Sequence, residues 1–338
     1  MVNHRSALAG ALYDGCKKES ESISFHFSSS LDSIQSFTPR PSFTVKPRSR
    51  EPYSVECDVL LGSDGVKSVM RQQILSELKI DAKIIDTNQA AYRIMINRSD
   101  MANDPELLYL IDNDSVTRWI GEKRHIIAYP VSSKSIYNMS TIQPDTHFAS
   151  APDATYTTKG SKPAMLDVFK DFCPKVQKLL NLVPDGEVCE WKLRVHAPLP
   201  TWVAGCTALV GDACHPTLPH LNQGAAQAIE DAAVLGVVLA KLPSTDPTSI
   251  HKALIVYEKV RKERAEILVD LAAQSGRALH LGEGKAKEER DREFERLKRE
   301  GKGKVPDKWA NKEVQEMIYR FDCVEVAEQK FDELFGTI

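Results

Sequence analysis

The sequence predicts an α/β chain that also carries a mostly antiparallel sheet, and three observations support this. A short apolar strand, Thr207–Val210, stops at Gly211-Asp212, and after a two-proline turn an Ala-rich helix runs from Gly224 to about Leu242. A second apolar strand, Cys57–Leu61, stops at Gly62-Ser63-Asp64-Gly65 and leads into a helix from Val66 to about Leu78. Between them, residues 80–145 alternate apolar and polar positions, the period of half-buried strands. Strand, tight turn and helix in that order build an α/β layer, whereas the alternating stretch builds a sheet of its own.

With 338 residues the chain can bury a sizeable core and is long enough for about two domains. Lys and Arg number 44 against 47 Asp and Glu, a net charge of -3, which gives neither a nucleic-acid footprint nor a polyacidic tail. Seven cysteines, an odd number with no C-x-x-C pair, do not make a disulfide framework and point to a reducing compartment. Met1-Val2-Asn3-His4-Arg5 opens no apolar leader, and the longest apolar run, Ala232 to Leu242, falls short of the ~20 residues that span a bilayer. The expectation is a cytoplasmic protein without a membrane segment or a nucleic-acid partner.

Taken in order, residues 3–15 read as a helix with Asn3 as N-cap, Leu8 and Leu12 on one face, and Gly15 at its end. Arg5 lies in the first turn, where a cation is electrostatically misplaced unless it answers an anion. Ile23, Phe25 and Phe27 alternate with polar residues, and with Phe43-Thr44-Val45 they predict an antiparallel meander. In the 80–145 sheet, Arg93 sits on the apolar run Ala90–Ile96. Buried without a partner it would cost several kcal/mol, so it either reaches solvent or meets an anion.

Val168, Phe169, Phe172, Val176, Leu179 and Leu180 recur at helical spacing and predict a core helix from Ala164 to Leu182. A second amphipathic helix, 251–280, begins near His251 and carries Tyr257-Glu258-x-x-Arg261-x-x-Arg264-Ala265. The Lys/Glu/Arg-rich run 283–304 reads as a solvated helix, and the tail from Trp309 to Phe335 as a lid or an interaction element. The domain limits that follow are 1–79, 80–200, 201–280 and a helical tail, 281–338.

The helix after Gly224 is apolar nearly all round, the mark of a buried helix. Its first N–H groups and positive dipole end face whatever lies above the preceding strand, and an anion or an electron-rich ring fits there. Taken alone, Asp212 could equally close a turn and Gly224 allow close packing.

The full string from Gly211 to Ala232 resembles the second FAD fingerprint of the aromatic-ring flavoprotein monooxygenases, the p-hydroxybenzoate and salicylate hydroxylase group: G-D-A-x-H-x-x-x-P-x-x-x-Q-G-A-x-x-x-x-E-D-A. Asp58 to Arg71 resembles that family's D-x-x-x-G-x-D-G-x-x-S-x-x-R signature. The two strings stand in the family's order, about 150 residues apart.

The resemblance implies that Asp212 holds the ribitol and pyrophosphate region of FAD, with Gly211 and Gly224 in the same cofactor-binding turn. It implies that the N–H groups of Ala225 and Ala226 face the pyrimidine edge of the isoalloxazine, and that Asp64 stands near the pyrophosphate. His4-Arg5-x-x-Leu8-x-x-x-Leu12 is similar to the family segment whose arginine reaches the FAD phosphates, which assigns that part to Arg5. Arg93 matches an arginine that binds the substrate phenolate. Tyr129, in the same sheet, either assists it or packs before Pro130.

The implied fold is a Rossmann-like FAD domain with an inserted substrate sheet. The implied activity is FAD-dependent hydroxylation of a phenolic or related ring with NAD(P)H and O2, through a flavin C4a-hydroperoxide.

No strand is followed by G-x-G-x-x-G; the glycine pairs two apart, Gly282/Gly284 and Gly301/Gly303, both fall in the charged tail. The Rossmann-like part is therefore expected to be incomplete, and the chain to hold FAD weakly. A non-catalytic remnant of the family without stable flavin is the alternative from another class, and a related reductase or dehydrogenase is a third. Cys206, Cys214, His215 and His220 fit no zinc spacing, and no G-x-S-x-G elbow is present, so neither a metal site nor a serine hydrolase is expected.

Overall fold

The computed structural model describes residues 5–19, 22–81, 84–146 and 157–338. Helix α1 (Arg5–Glu19) precedes strands β1 (Ser29–Ser36), β2 (Ser42–Pro47), β3 (Tyr53–Glu56) and β4 (Leu60–Gly62), and then α2 (Val69–Glu77). Next come β5 (Ile84–Asn97), α3 (Arg98–Met101), α4 (Pro105–Asp112), β6 (Thr117–Gly121), β7 (Arg124–Val131) and β8 (Ile136–Pro144). They are followed by β9 (Thr157–Lys159), α5 (Lys162–Val168), α6 (Pro174–Asn181) and β10 (Cys189–His196). The chain ends with β11 (Val203–Ala204), β12 (Thr207–Leu209), α7 (Gly224–Ala240), α8 (Pro247–Leu279), α9 (Lys285–Glu300), α10 (Lys312–Tyr319) and α11 (Cys323–Thr337).

The chain forms two compact units. The sheet unit combines α1 with Thr87–Leu193 and Leu279–Glu295; the βα unit combines His26–Asp86, Arg194–Ala278 and Arg296–Ile338. The C-terminal stretch expected as one tail is thus divided between them.

In the sheet unit six strands run in the order β6-β7-β8-β5-β10-β9. Tyr92, Ile94, Ile126, Ala128, Tyr137 and Met139 point to one face, where helices α4 to α6 cover them with Leu107, Ile111, Met165, Val176, Leu179 and Leu180. The single helix expected over 164–182 is two. Cys173 adopts φ -57°, ψ 156° before Pro174, which opens α6, because a residue preceding proline is pushed out of the helical region.

In the βα unit β12 pairs in parallel with β4, Ala208 opposite Leu61, and β11 completes a three-stranded sheet in the order β11-β12-β4. Strand β4 is therefore an edge, and Leu61, expected within a buried strand, is 40% exposed. The meander is real, in the order β1-β2-β3. It begins only at Ser29, however, because Ser28 turns the chain with φ +55°, and Ile23, Phe25 and Phe27 are exposed outside any strand.

One core joins α2, β12, α7 and α8 through residues such as Met70, Leu209, Val234 and Leu254. Phe331 and Ala327 of α11 are buried in the same core. The last helix, in the stretch expected as a lid or an interaction element, is therefore part of the packing. Among the described residues no helix is long and apolar enough to cross a membrane.

Candidate functional site

The turn after β12 is built from both directions. The Tyr257 hydroxyl donates to the Leu209 carbonyl at 2.9 Å, and the Val210 N–H to Gly62 O at 2.9 Å, which fixes the strand end beside β4. Gly211 takes φ +62°, and a Cβ there would lie 3.0 Å from the Ala228 Cβ. Left-handed backbone and close approach together require glycine. Gly211–Ala213 then form a single 3-10 turn that presents Asp212 as an exposed residue.

After Asn222, itself left-handed at φ +57°, α7 starts at Gly224 with no side-chain cap and no acidic residue in its first turn. The first i to i−4 bond is Gln227 N–H to Gln223 O, at 2.9 Å. The N–H groups of Gly224, Ala225 and Ala226 thus precede the helical ladder and carry the positive dipole end. A Cβ on Gly224 would stand 3.3 Å from Thr217 Cγ2 and 3.9 Å from Asp212 Oδ1. A carboxylate acceptor and a row of backbone donors therefore converge where glycine leaves space, and Ala225 is exposed there.

Asp64 caps the start of α2. Its Oδ1 accepts from Ser68 Oγ at 2.5 Å, and its Oδ2 from the N–H groups of Val69 and Met70 at 2.7 and 3.1 Å. Ser68 in turn accepts the Arg71 N–H at 2.8 Å. These are helix-capping bonds, and they hold the Asp64 carboxylate on the first turn of α2. Arg5 opens α1, but its side chain lies outside the described residues.

Arg93 pairs across the sheet with Ser140, which also faces Ile127; Met95 pairs with Asn138, which faces Tyr129. Rows two residues apart share a face, so Arg93 and Tyr129 lie on the same side, away from the core under α4 to α6. With β8 between them they stand ~12 Å apart by strand spacing and rise. The Arg93 guanidinium is 4.8 Å from the Trp191 ring centroid, a cation–π contact that keeps the exposed cation over an aromatic surface.

Sequence reasoning missed the residues behind the turn. Arg71, 2% exposed, donates through Nη1 to the Ala213 carbonyl at 2.9 Å. Asp231, fully buried, accepts the Gly211 N–H at 2.9 Å, His215 Nε2 at 2.6 Å and Arg261 Nε at 2.8 Å. Arg261 also donates to Glu230 and to the Gln227 side chain, and Arg264 grips Glu230 at 2.9 and 3.0 Å.

Burial works to raise the Asp231 pKa, but the His215 hydrogen bond and charge, with Arg261, outweigh it and hold the carboxyl below its ordinary range. Burial, followed by the Asp231 charge, pushes the Cys214 thiol well up, so it stays neutral. All of these side chains lie within the two family strings and the Tyr257–Ala265 segment. The sequence displayed them without saying which partner each would find.

The family model described as FAD binding domain matches residues 11–272. The chain belongs to this family. Among its relatives, the FAD-dependent monooxygenase ntnJ of Nectria sp is 35% identical over 237 residues, 70% of this chain and 54% of that protein. The FAD-dependent monooxygenase atnJ of Arthrinium sp is 32% identical over 272 residues, 80% of this chain and 62% of that protein. The chain thus spans less than two thirds of the length of these curated relatives. A solved salicylate hydroxylase substrate complex superimposes with a TM-score of 0.74 at 23% identity, covering 94% of this chain and 74% of that one. This last is a likeness of fold.

The residues present fit the cofactor of the family at its flavin end. The opening left by Gly224, the uncapped start of α7 and the neighbouring Asp212 offer donors to an electron-rich ring edge and an acceptor to hydroxyl groups.

Proposed function

We infer that the chain forms the flavin- and substrate-binding part of an FAD-dependent monooxygenase acting on a phenolic or related aromatic compound, with NAD(P)H as reductant and O2 as co-substrate. The observation that carries this reading is the convergence of the Asp212 carboxylate with the free N–H groups at the start of α7, on a chain of the FAD binding domain family.

In this reading Asp212 accepts hydrogen bonds from the ribitol hydroxyls. The Ala225 and Ala226 N–H groups stabilise negative charge at the pyrimidine edge. Arg5 answers the phosphates, while Asp64 acts through the α2 turn that it caps. Bound FAD, once reduced, supplies the two-electron activation of O2, which amino-acid side chains cannot provide.

On the sheet, Arg93 holds an anionic phenolate, and the Trp191 ring keeps its guanidinium in place. Tyr129, on the same face, lies within reach of a ring-sized ligand spanning β8. The names of the relatives, both FAD-dependent monooxygenases, support the reaction class.

The test is the visible spectrum of the purified chain and its flavin content. The 338 residues taken by themselves hold no G-x-G-x-x-G string for the pyrophosphate, and each charge-assisted bond such a string adds is worth about 1.5–3 kcal/mol. The expected result is substoichiometric FAD that rises when a strand–G-x-G-x-x-G–helix segment is fused ahead of residue 1, with NAD(P)H oxidation then stimulated by salicylate. Asp212→Ala should lower flavin content further with the fold kept. Flavin content untouched by Asp212→Ala in either form would refute the assignment.

A further inference from the structure

Asp212 stands on a turn whose flanking peptide groups are both held by buried side chains. On one side the Gly211 N–H donates to Asp231 Oδ2; on the other, Arg71 donates to the Ala213 carbonyl. Asp231 lies on α7, two turns beyond Gly224, and Ala228, against which Gly211 is pressed, lies one turn nearer the start. The helix that offers its N-terminal N–H groups beside Asp212 therefore also anchors, further along, the peptide that precedes Asp212.

We propose that Asp231 is a positioning residue: by accepting the Gly211 N–H it fixes the left-handed turn and sets where the Asp212 carboxylate stands relative to the first N–H groups of α7. The proposal rests on the reading of Asp212 and α7 as the flavin-binding element.

Its chemistry is specific to a carboxylate. Three donors converge on its two oxygens: Gly211 N–H and His215 Nε2 from the turn after β12, and Arg261 Nε from α8. Asparagine offers a single acceptor oxygen; the permanently charged Arg261 Nε claims it, which turns the NH2 group toward Gly211 and His215, and His215 can answer by its other tautomer whereas the Gly211 N–H cannot. The general stability of α7 has a different source, the burial of Val234, Leu235 and Val238, and the two roles can be separated.

The experiment compares Asp231→Asn with Val238→Ala, a core truncation on the same helix, in the full chain. Amide hydrogen exchange is followed at Gly211 and at Val234 and Leu235, and FAD binding by quenching of flavin fluorescence. In Asp231→Asn the Gly211 amide should exchange at least tenfold faster than any change at Val234 and Leu235 explains, and FAD affinity should fall tenfold or more. In Val238→Ala the three amides should accelerate together, with FAD affinity changed less than threefold.

Asp231→Glu is the second variant. It retains the charge for Arg261 and displaces the Gly211 contact, and it should show the same local release if the asparagine variant does not fold. A Gly211 amide no faster than those of Val234 and Leu235, or equal losses of FAD affinity in the asparagine and Val238→Ala variants, overturns the proposal. If the unaltered chain fails to quench FAD while the Asp231 variants still release the Gly211 amide, the flavin reading falls and the assignment of Asp231 to the turn stands.

Discussion

Replacing Arg261 with methionine should be among the most damaging single changes in the βα unit. The guanidinium is 0% exposed. Its Nε donates to Asp231 Oδ1 at 2.8 Å, Nη1 donates to Glu230, and Nη2 donates to Gln227 Oε1 at 2.7 Å and Gln227 O at 3.3 Å. After the change Glu230 retains the two-pronged grip of Arg264. Asp231 retains only the Gly211 N–H and His215, with no permanent cation beside a carboxylate that is itself 0% exposed.

Stranding one partner of a buried ion pair costs about 3–5 kcal/mol, against ~0–1 for a surface pair. Methionine fills most of the volume, so the cavity contribution stays small. Urea unfolding would be followed by Trp202, buried 5.2 Å from the His215 ring, with the other three of the four tryptophans changed to phenylalanine. With a slope of roughly 1–3 kcal/mol/M, the midpoint should drop by about 1–5 M. A drop worth less than ~1 kcal/mol would refute the claim that the pair is buried and compensated.

Gly211→Ala should cost about 1–2 kcal/mol for left-handed backbone, offset by about 0.4–1 kcal/mol from a stiffer unfolded chain, plus the contact 3.0 Å from Ala228 Cβ. In denaturant titrations, pairing it with Ala228→Gly should relieve the contact part alone.

The sheet unit should lose stability as pH falls below neutrality. Burial, with Arg118 and Arg290, lowers His280 to about 4, and its Nε2 lies 2.6 Å from His125 Nδ1. Because the folded pKa lies below the unfolded one, the unfolded chain binds the extra proton. Stability is then full above pH ~6.5 and falls until pH ~4, by roughly 1–3 kcal/mol. His280→Asn should flatten that slope in urea midpoints taken at pH 7 and 4.5.

Local order was legible in the sequence wherever it is set by neighbours along the chain. The alternation of residues 80–145 gave the antiparallel strands, and two apolar runs ending at Gly-Asp and Asp-Gly gave the βα turns. The break at Pro174 was also available, because a proline excludes the preceding residue from the helix; the helical spacing of Phe169 to Leu180 masked it. Asp212, Gly224 and Ala225 were identified by motif, and in the fold a Cβ on Gly224 would stand 3.9 Å from Asp212 Oδ1, at the start of α7.

Only the tertiary structure decided what lies far away along the chain. It set Arg71 on the Ala213 carbonyl, 142 residues on, and Asp231 on Gly211 and Arg261. It made β4 an edge, turned Asp64 to capping α2, and drew α11 into the core. Periodicity tells which face of an element is apolar. It does not tell which buried charge meets which donor, because that follows from how elements distant in sequence pack, and the low dielectric of the interior allows few such pairings.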